Sequence, residues 1–407
     1  MIPDNIFFIF ITSEVNCQWS SWSPWSQCSV TCGSGTKTRS RTKSITATNG
    51  GRDCAGTSTS SSTCTGLYQC RPSSQPSSSS RPKTRNTVLV VTGNPVSKSL
   101  PSEVFDLANE ESKCTNLEEL PKRALAVGGL IDDIPVVCGG VDSNRNYIDD
   151  CVLIGKSKKI PMVSTRYTHT SVNLDSGRLW ILGGANKSVS YLDTTEIVSI
   201  NKSVKGIDLP STWRFGCAVN VNNKIYLIGG KRNYDVTKKI WIVDPSNGFK
   251  VEEGPPMNNR RSEHMCAVMP DNQTIIVAGT WEKKFGKTTE YYDIKSETWK
   301  MGKSILHTLQ VQKQHDYLLG CNGTDSLCIY ISGPELPFLL QQSQMVTLSD
   351  GVMLIGGNEK IGHRYKKEFL KLKSVTSNWE IQEKLQLSVG RNGHVVIPIL
   401  EEMTNCT

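Results

Sequence analysis

Six histidines and fourteen cysteines are the side chains of this 407-residue chain best suited to hold a metal or carry redox chemistry. Four of the histidines recur in register: His169, His264 and His394 each stand three places after an arginine, in TRYTH, RSEH and RNGH, and His307 opens another segment of the same kind. A single metal site needs donors that converge, whereas a regular repeat spreads them apart, so the recurrence reads as structural. No H-E-x-x-H, G-x-S-x-G or phosphate-cradling glycine loop occurs, which leaves hydrolase and nucleotide chemistry without residues to carry it. Noncovalent binding is therefore the expected chemistry, with no enzymatic activity, metal or cofactor.

A second pattern suits binding directly. From Cys17 the chain reads CQWSSWSPWSQCSVTCGSGTKTRSRTK, with Trp19, Trp22 and Trp25 at a spacing of three and Lys37, Arg39 and Arg41 at a spacing of two. Alternate residues of a strand share a face, while an extended, rippled segment can present every third residue on one side. Laid antiparallel, the two sets interleave. Guanidinium planes between indoles gain cation–π contact worth roughly 0.5–2 kcal/mol each. A small segment can thus use a side-chain stack where it lacks a core. Lys43 and Arg52 are freer cations and, with Arg39 and Arg41, are candidates for contact with an anion.

Six of the cysteines fall between Cys17 and Cys70. So short a segment cannot bury enough apolar surface to fold unaided, and six cysteines read as a disulfide framework with fifteen possible connectivities. Zinc would favour paired Cys-x-x-Cys knuckles, and only Cys28 and Cys32 lie close together. An oxidising compartment follows.

The tryptophan ladder, CSVTCGSG, the R-x-R strand, GGRDC and the terminal cysteine spacing make residues 17–70 resemble a thrombospondin type-1 repeat. The resemblance implies the pairings Cys17 with Cys54, Cys28 with Cys64 and Cys32 with Cys70. It also implies C-mannose on Trp19 and Trp22 and O-fucose on Thr31. Modules of this kind bind glycosaminoglycans, matrix proteins and cell-surface receptors through a cationic groove beside the stack.

Charge agrees with that division. The chain carries a net +8, from 46 Lys and Arg against 38 Asp and Glu. Up to Asn86, nine cations face three carboxylates, giving +6; from Thr87 onward 37 face 35, giving +2. An anion-binding surface is accordingly expected in the N-terminal fifth. Residues 1–16 contain the apolar stretch Ile6 to Thr12 without a basic lead-in, which reads as a signal segment of atypical or truncated form. Residues 71–86, RPSSQPSSSSRPKTRN, form a Ser/Pro-rich linker with nothing to pack. No apolar run approaches the roughly 20 residues that span a bilayer. Five Asn-x-Ser/Thr sequons begin at Asn186, Asn201, Asn272, Asn322 and Asn405.

From Thr87 an aliphatic strand ending in small residues recurs as VLVVTGN, PVVCGG, LWILGG, IYLIGG, IIVAGT, YLLGCN and VMLIGG. The glycines Gly93, Gly139, Gly183, Gly229, Gly279, Gly320 and Gly356 are 46, 44, 46, 50, 41 and 36 residues apart. A short apolar segment with a polar turn precedes each strand except the first, and another apolar segment follows. Four antiparallel strands per unit, repeated, avoid open edges by radial closure. The expected fold class is all-β: a β-propeller behind a small disulfide-rich module. Near its end the chain reads GRNGHVVIPIL, a leading segment with no strand to lead, so the C-terminal part should complete the first blade. Seven leading segments and seven strands then balance, which favours seven blades over six.

The diglycines Gly139–Gly140, Gly183–Gly184, Gly229–Gly230 and Gly356–Gly357, together with Tyr292, Trp299 and Trp379, make residues 87–407 resemble kelch repeats. Phe249 stands where a tryptophan is expected. Cys138 with Cys151, and Cys321 with Cys328, lie on successive strands of one blade and can meet disulfide geometry. Cys217 and Cys266, each in CAV, read instead as buried small hydrophobes, and the pairing of Cys114 and Cys406 is left open. Galactose oxidase has a kelch-like propeller with a copper site, but the in-register histidines argue against such a site here. Many kelch proteins are intracellular adaptors, of ubiquitin-ligase receptor or actin-binding type, which is the rival class. The combined expectation is a secreted adhesion or matrix-recognition protein whose partners are an extracellular protein or receptor and a glycosaminoglycan, not nucleic acid. Loops 142–146 and 231–235 of the propeller are candidate contact sites.

Overall fold

A computed structural model describes residues 13–26, 34–65, 86–94, 100–114, 122–156, 158–301, 335–359 and 364–399. The chain divides into two compact units, Met1–Pro76 and Ser77–Thr407. Apart from two single-turn 3-10 helices, every regular element among the described residues is a β-strand.

In the first unit the strand Ser34–Ser40 pairs antiparallel with Thr59–Thr65, and Gln18–Trp19 pairs with Lys43–Ile45. The tryptophan segment runs alongside as a third layer with its own bonding pattern. The N–H groups of Ser20, Ser23 and Ser26 donate to the carbonyls of Thr42, Ser40 and Thr38 at 2.7–2.8 Å. The hydroxyls of the same serines accept from the N–H groups of Thr42, Ser40 and Thr38 at 2.9–3.1 Å. A backbone of period three cannot offer its carbonyls to a partner of period two, so the seryl oxygens supply the missing acceptors. The serine after each tryptophan is therefore part of the ladder, a role the tryptophan spacing alone did not reveal.

Among its described residues the second unit has six four-stranded antiparallel sheets. Their innermost strands are Val395–Ile399 for blade one, Val127–Ile131 for blade two, Thr170–Leu174 for blade three, Cys217–Val221 for blade four, Met265–Val268 for blade five and Gln344–Leu348 for blade six. Val395–Ile399 pairs with Thr87–Val91, so the C-terminal segment completes the first blade as its unpaired leading pattern predicts. Second strands such as Ile225 to Ile228 are wholly buried, in keeping with their unbroken aliphatic runs, while first strands alternate because one face looks into the channel. The core lies between blades: Val88 and Phe105 of blade one pack on Met353 and Phe369 of blade six, with the two phenylalanine rings 4.8 Å apart.

The preference for seven blades is corrected to six. Met265–Val268 lies directly beside Gln344–Leu348, and Thr347 Oγ1 donates to the Val268 carbonyl at 2.6 Å. At the channel mouth the N–H groups of Leu125, Thr168, Phe215, Glu263, Gln342 and Gly393 donate to the carbonyls of Gly393, Leu125, Thr168, Phe215, Glu263 and Gln342, at 2.9–3.2 Å. This is a closed head-to-tail ring with one member from each blade. All six residues have φ between +51° and +57°, so the left-handed turn that feeds each inner strand is imposed even on Thr168 and Phe215. No place is left for a further inner strand. The YLLGCN segment, with Gly320, that balanced the count at seven lies outside the described residues.

The first repeat is also shifted by one. Thr92 (φ +61°) and Gly93 (φ +115°) occupy the places of the two glycines, so Gly93 is the second of its pair. The first glycine matters because the next blade presses on it. A Cβ on Gly139 would lie 2.7 Å from the Arg166 carbonyl oxygen and 2.9 Å from His169 Cε1.

Candidate binding surfaces

In the first unit the side chains form one continuous stack. Arg41 lies 4.5 Å from the Trp19 ring and 4.4 Å from Trp22, Arg39 lies 4.7 Å from Trp22 and 4.5 Å from Trp25, and the Lys37 ammonium sits 5.2 Å from Trp25. Arg41 Nε also donates to the Thr57 carbonyl and Trp19 Nε1 to that of Ala55. Both guanidiniums are thus held on two faces. Arg41→Ala is expected to remove two cation–π contacts and a hydrogen bond, destabilising this unit by about 1–3 kcal/mol. Tryptophan fluorescence during urea unfolding measures it, and a shift below about 0.5 kcal/mol would contradict a structural stack.

The proposed anion contacts separate. Lys43 is engaged with Asp53 at 2.6 Å, and that hydrogen bond, followed by one from the Cys54 N–H, holds the Asp53 carboxyl below its ordinary range. Arg52 is exposed and makes no ion pair among the described residues. It is the cation best placed to meet a ligand.

Cys17 and Cys54 are bonded with their Cα atoms 4.9 Å apart. Cys64 is also disulfide-bonded, while Cys28, Cys32, Cys70 and Thr31 lie outside the described residues. Cys17, Asp53 and Cys54 are grouped closely enough for a metal, but the two sulfurs are spent in the disulfide. In the propeller Cys138 and Cys151 are cross-strand partners 4.0 Å apart at Cα, and they are bonded. Cys321 and Cys328 lie outside the described residues.

Cys217 and Cys266, read from sequence as buried small hydrophobes, form a disulfide between blades four and five with Cα atoms 6.0 Å apart. Cys266 stands one place further along its inner strand than Cys217, pairing with Val277 where Cys217 pairs with Ile228, and since successive strand residues point to opposite sides this offset turns the two sulfurs toward the shared seam. Replacing both by serine should cost about 2–4 kcal/mol, measured as the loss of denaturant midpoint against the oxidised protein.

The arginines of the R-x-x-H frame knit their blades. Arg166 bonds Glu196 at 2.7 Å and the Gly183 and Thr194 carbonyls; Arg261 bonds Glu290 at 2.8 Å and the Gly279 and Thr288 carbonyls; Arg391 bonds Glu103. Arg123 does the same with Asp150 at 2.9 Å. In blade four, Trp213 takes the arginine's place and donates to the Gly229 carbonyl at 2.8 Å. The three histidines are buried and lie in separate blade seams. Burial first, and the neighbouring Arg166, Arg261 or Arg391 second, lower their pKa to about 3. They are neutral wedges, and His307 lies outside the described residues.

Gly183–Gly184, Gly229–Gly230 and Gly356–Gly357 repeat the positive-φ pair of Gly139–Gly140. Trp299 Nε1 donates to the Pro255 carbonyl, its ring 5.2 Å from Tyr292, and Trp379 Nε1 donates to Thr289 Oγ1. Each tryptophan leans on the preceding blade. Phe249 does likewise, edge-on to Trp180 at 5.0 Å.

The two candidate loops differ. Asp142 is consumed internally, accepting from the Asn144 and Asn146 N–H groups and from Asn146 Nδ2. The hairpin Lys231–Arg232 and Asp235–Val236 instead belongs to a surface of stacked aromatic and cationic groups. Tyr234, 74% exposed, meets Tyr191 at 4.6 Å; Arg214 lies 5.0 Å from Tyr167 and 4.4 Å from Phe215; Lys231 reaches Phe215 at 5.5 Å and the exposed Trp281 at 5.9 Å. Scattered over more than a hundred residues, these groups carry no local sequence signal. Asn201 and Asn272 are exposed on bends and Asn186 is half-buried between strands, whereas Asn322 and Asn405 lie outside the described residues.

Comparison with known proteins defines the class first. The thrombospondin type 1 domain model matches residues 20–70 and the Kelch motif model matches residues 213–258. The chain carries a thrombospondin type 1 domain followed by a Kelch motif in an all-β fold, and both are typically binding rather than enzymatic modules, which indicates protein interaction. Among particular proteins, the netrin receptors UNC5D of Rattus norvegicus and Mus musculus are each 52% identical over 54 residues, 13% of this chain. The chain spans 6% of the length of these relatives. A solved structure entitled "Structure of YjhT" is similar with a TM-score of 0.55 at 13% identity, covering 73% of this chain and 94% of that one. That likeness concerns fold alone. No helix among the described residues is long and apolar enough to cross a membrane.

Proposed function

We propose that this is a secreted adhesion or matrix-recognition protein, with a thrombospondin type-1 module over 17–70, a linker over 71–86 and a kelch propeller over 87–407. The observation that carries the reading is that disulfides staple both units, within the first, within blade two and between blades four and five. Such bonds persist in oxidising compartments and are rare in the cytosol, which weighs against an intracellular adaptor. The module contributes the exposed Arg52 and the cationic stack of Arg39 and Arg41 to anion contact. The propeller offers the surface around Arg214, Tyr234 and Trp281 to a protein partner, since aromatic and arginine side chains dominate binding energetics.

Peptide mass mapping of conditioned medium against lysate tests the compartment. Hexose on Trp19 and Trp22, deoxyhexose on Thr31 and N-glycans at the sequons are expected in the medium. Unmodified, reduced protein confined to the cytosol would overturn the reading. On heparin, Arg52→Gln is expected to elute at clearly lower salt than the unsubstituted protein, and Lys43→Gln to shift less because Lys43 is already paired. Equal retention of Arg52→Gln would remove the anion-binding assignment.

A further inference from the structure

The connecting loops of blades four and five enclose a cleft of about 660 Å³, within the roughly 300–1,000 Å³ range of ligand pockets. Lys238, Lys239, Arg260 and Lys284 line it with a single carboxylate, Glu253, which Lys239 already neutralises at 3.0 Å. Lys238, Arg260 and Lys284 are exposed and have no ion pair among the described residues. Three unneutralised cations in one cleft exceed the whole propeller's excess of 37 Lys and Arg over 35 Asp and Glu. Such focusing of charge raises the local concentration of anions.

The walls are preformed. The Asn258 and Asn259 N–H groups donate to the buried Glu290 carboxylate at 2.8 and 3.1 Å, the Met257 N–H to the Lys238 carbonyl at 2.9 Å and the Arg261 N–H to the Thr237 carbonyl at 3.1 Å. The loop that carries Arg260 is thereby pinned to both blades. A ligand entering it need not order the backbone first.

We propose that this cleft binds a sulfated saccharide. Three of its four cations are lysines, point donors that suit the tetrahedral oxygens of a sulfate, whereas carboxylate recognition favours the planar fork of arginine. The side-chain amides of Asn258 and Asn259 offer donors and acceptors to hydroxyls, and Phe285 presents an apolar ring for a sugar face. This site is separate from the basic edge of the N-terminal unit and does not depend on it.

The test is lysine acetylation footprinting of the full chain with a heparin-derived dodecasaccharide, its desulfated counterpart and poly-glutamate. The sulfated saccharide should slow acetylation of Lys238 and Lys284 at least fivefold, leave the exposed Lys295 unchanged, and lose its effect when desulfated. Lys238→Gln/Arg260→Gln/Lys284→Gln, all exposed positions, should fold normally, weaken the dodecasaccharide by about tenfold and flatten its salt dependence. Absence of protection at both lysines, or protection by poly-glutamate alone, would overturn the proposal. Because the footprint is read residue by residue, loss of Arg52-dependent heparin retention would leave this result intact.

Discussion

Arg261→Leu is expected to destabilise the propeller by about 3–5 kcal/mol. Arg261 and Glu290 are both fully buried, joined at 2.8 Å, and burial pushes the guanidinium pKa down against the pull of Glu290. Removing the cation leaves a carboxylate inside the blade with no counter-charge, and takes a donor from the Gly279 and Thr288 carbonyls, of which Thr288 keeps the Gly279 N–H. Arg261→Leu/Glu290→Leu should recover part of the loss, because the buried charge goes with its partner. Recovery should be incomplete, since the Asn258 and Asn259 N–H groups then lose their acceptor. A double-mutant cycle in urea measures the coupling. A single-variant loss below about 1 kcal/mol would show that Glu290 finds water or another cation.

The propeller should also unfold cooperatively in mild acid. His169, His264 and His394 have pKa values lowered to about 3 from 6.5, chiefly by burial. A group whose folded pKa lies below its unfolded one contributes stability that is complete above the unfolded value and lost as pH falls toward the folded one. The window is therefore pH 6.5 down to about 3. Each imidazole contributes a slope of about 1.4 kcal/mol per pH unit, and three together would remove about 10 kcal/mol by pH 4, comparable with a whole domain stability of about 5–15 kcal/mol. Urea titrations at successive pH values give the slope directly. His264→Asn should reduce it by about 1.4 kcal/mol per unit; a flat profile between pH 6 and 4 would mean that the rings protonate without opening the seams.

The stack and the blades were legible in the sequence because both depend on local periodicity. Three-residue and two-residue spacings placed Arg41 between Trp19 and Trp22 and Arg39 between Trp22 and Trp25, and the aliphatic strand with its small terminal pair recurred along the propeller. Closure by the C-terminal segment was legible too, since an unpaired strand pattern at one end must find an edge at the other. The blade number was not. Counting repeats weighs each glycine-ended strand equally, while the ring is decided by whether Met265–Val268 and Gln344–Leu348 are neighbours, a contact between strands almost eighty residues apart. The Cys217–Cys266 bond escaped for the same reason, as CAV in two repeats says nothing about which way each sulfur faces until the blades are set side by side.

Sequence by itself determined the strand periodicity, the uneven charge and the alternating stack, because each resides in spacing along a strand or in composition. Tertiary structure alone decided the six-fold ring, the inter-blade disulfide, the aromatic surface around Arg214 and the cationic cleft between blades four and five. Those features arise where separate blades meet, and the angle at which blades meet is set by packing between sheets rather than by any one repeat.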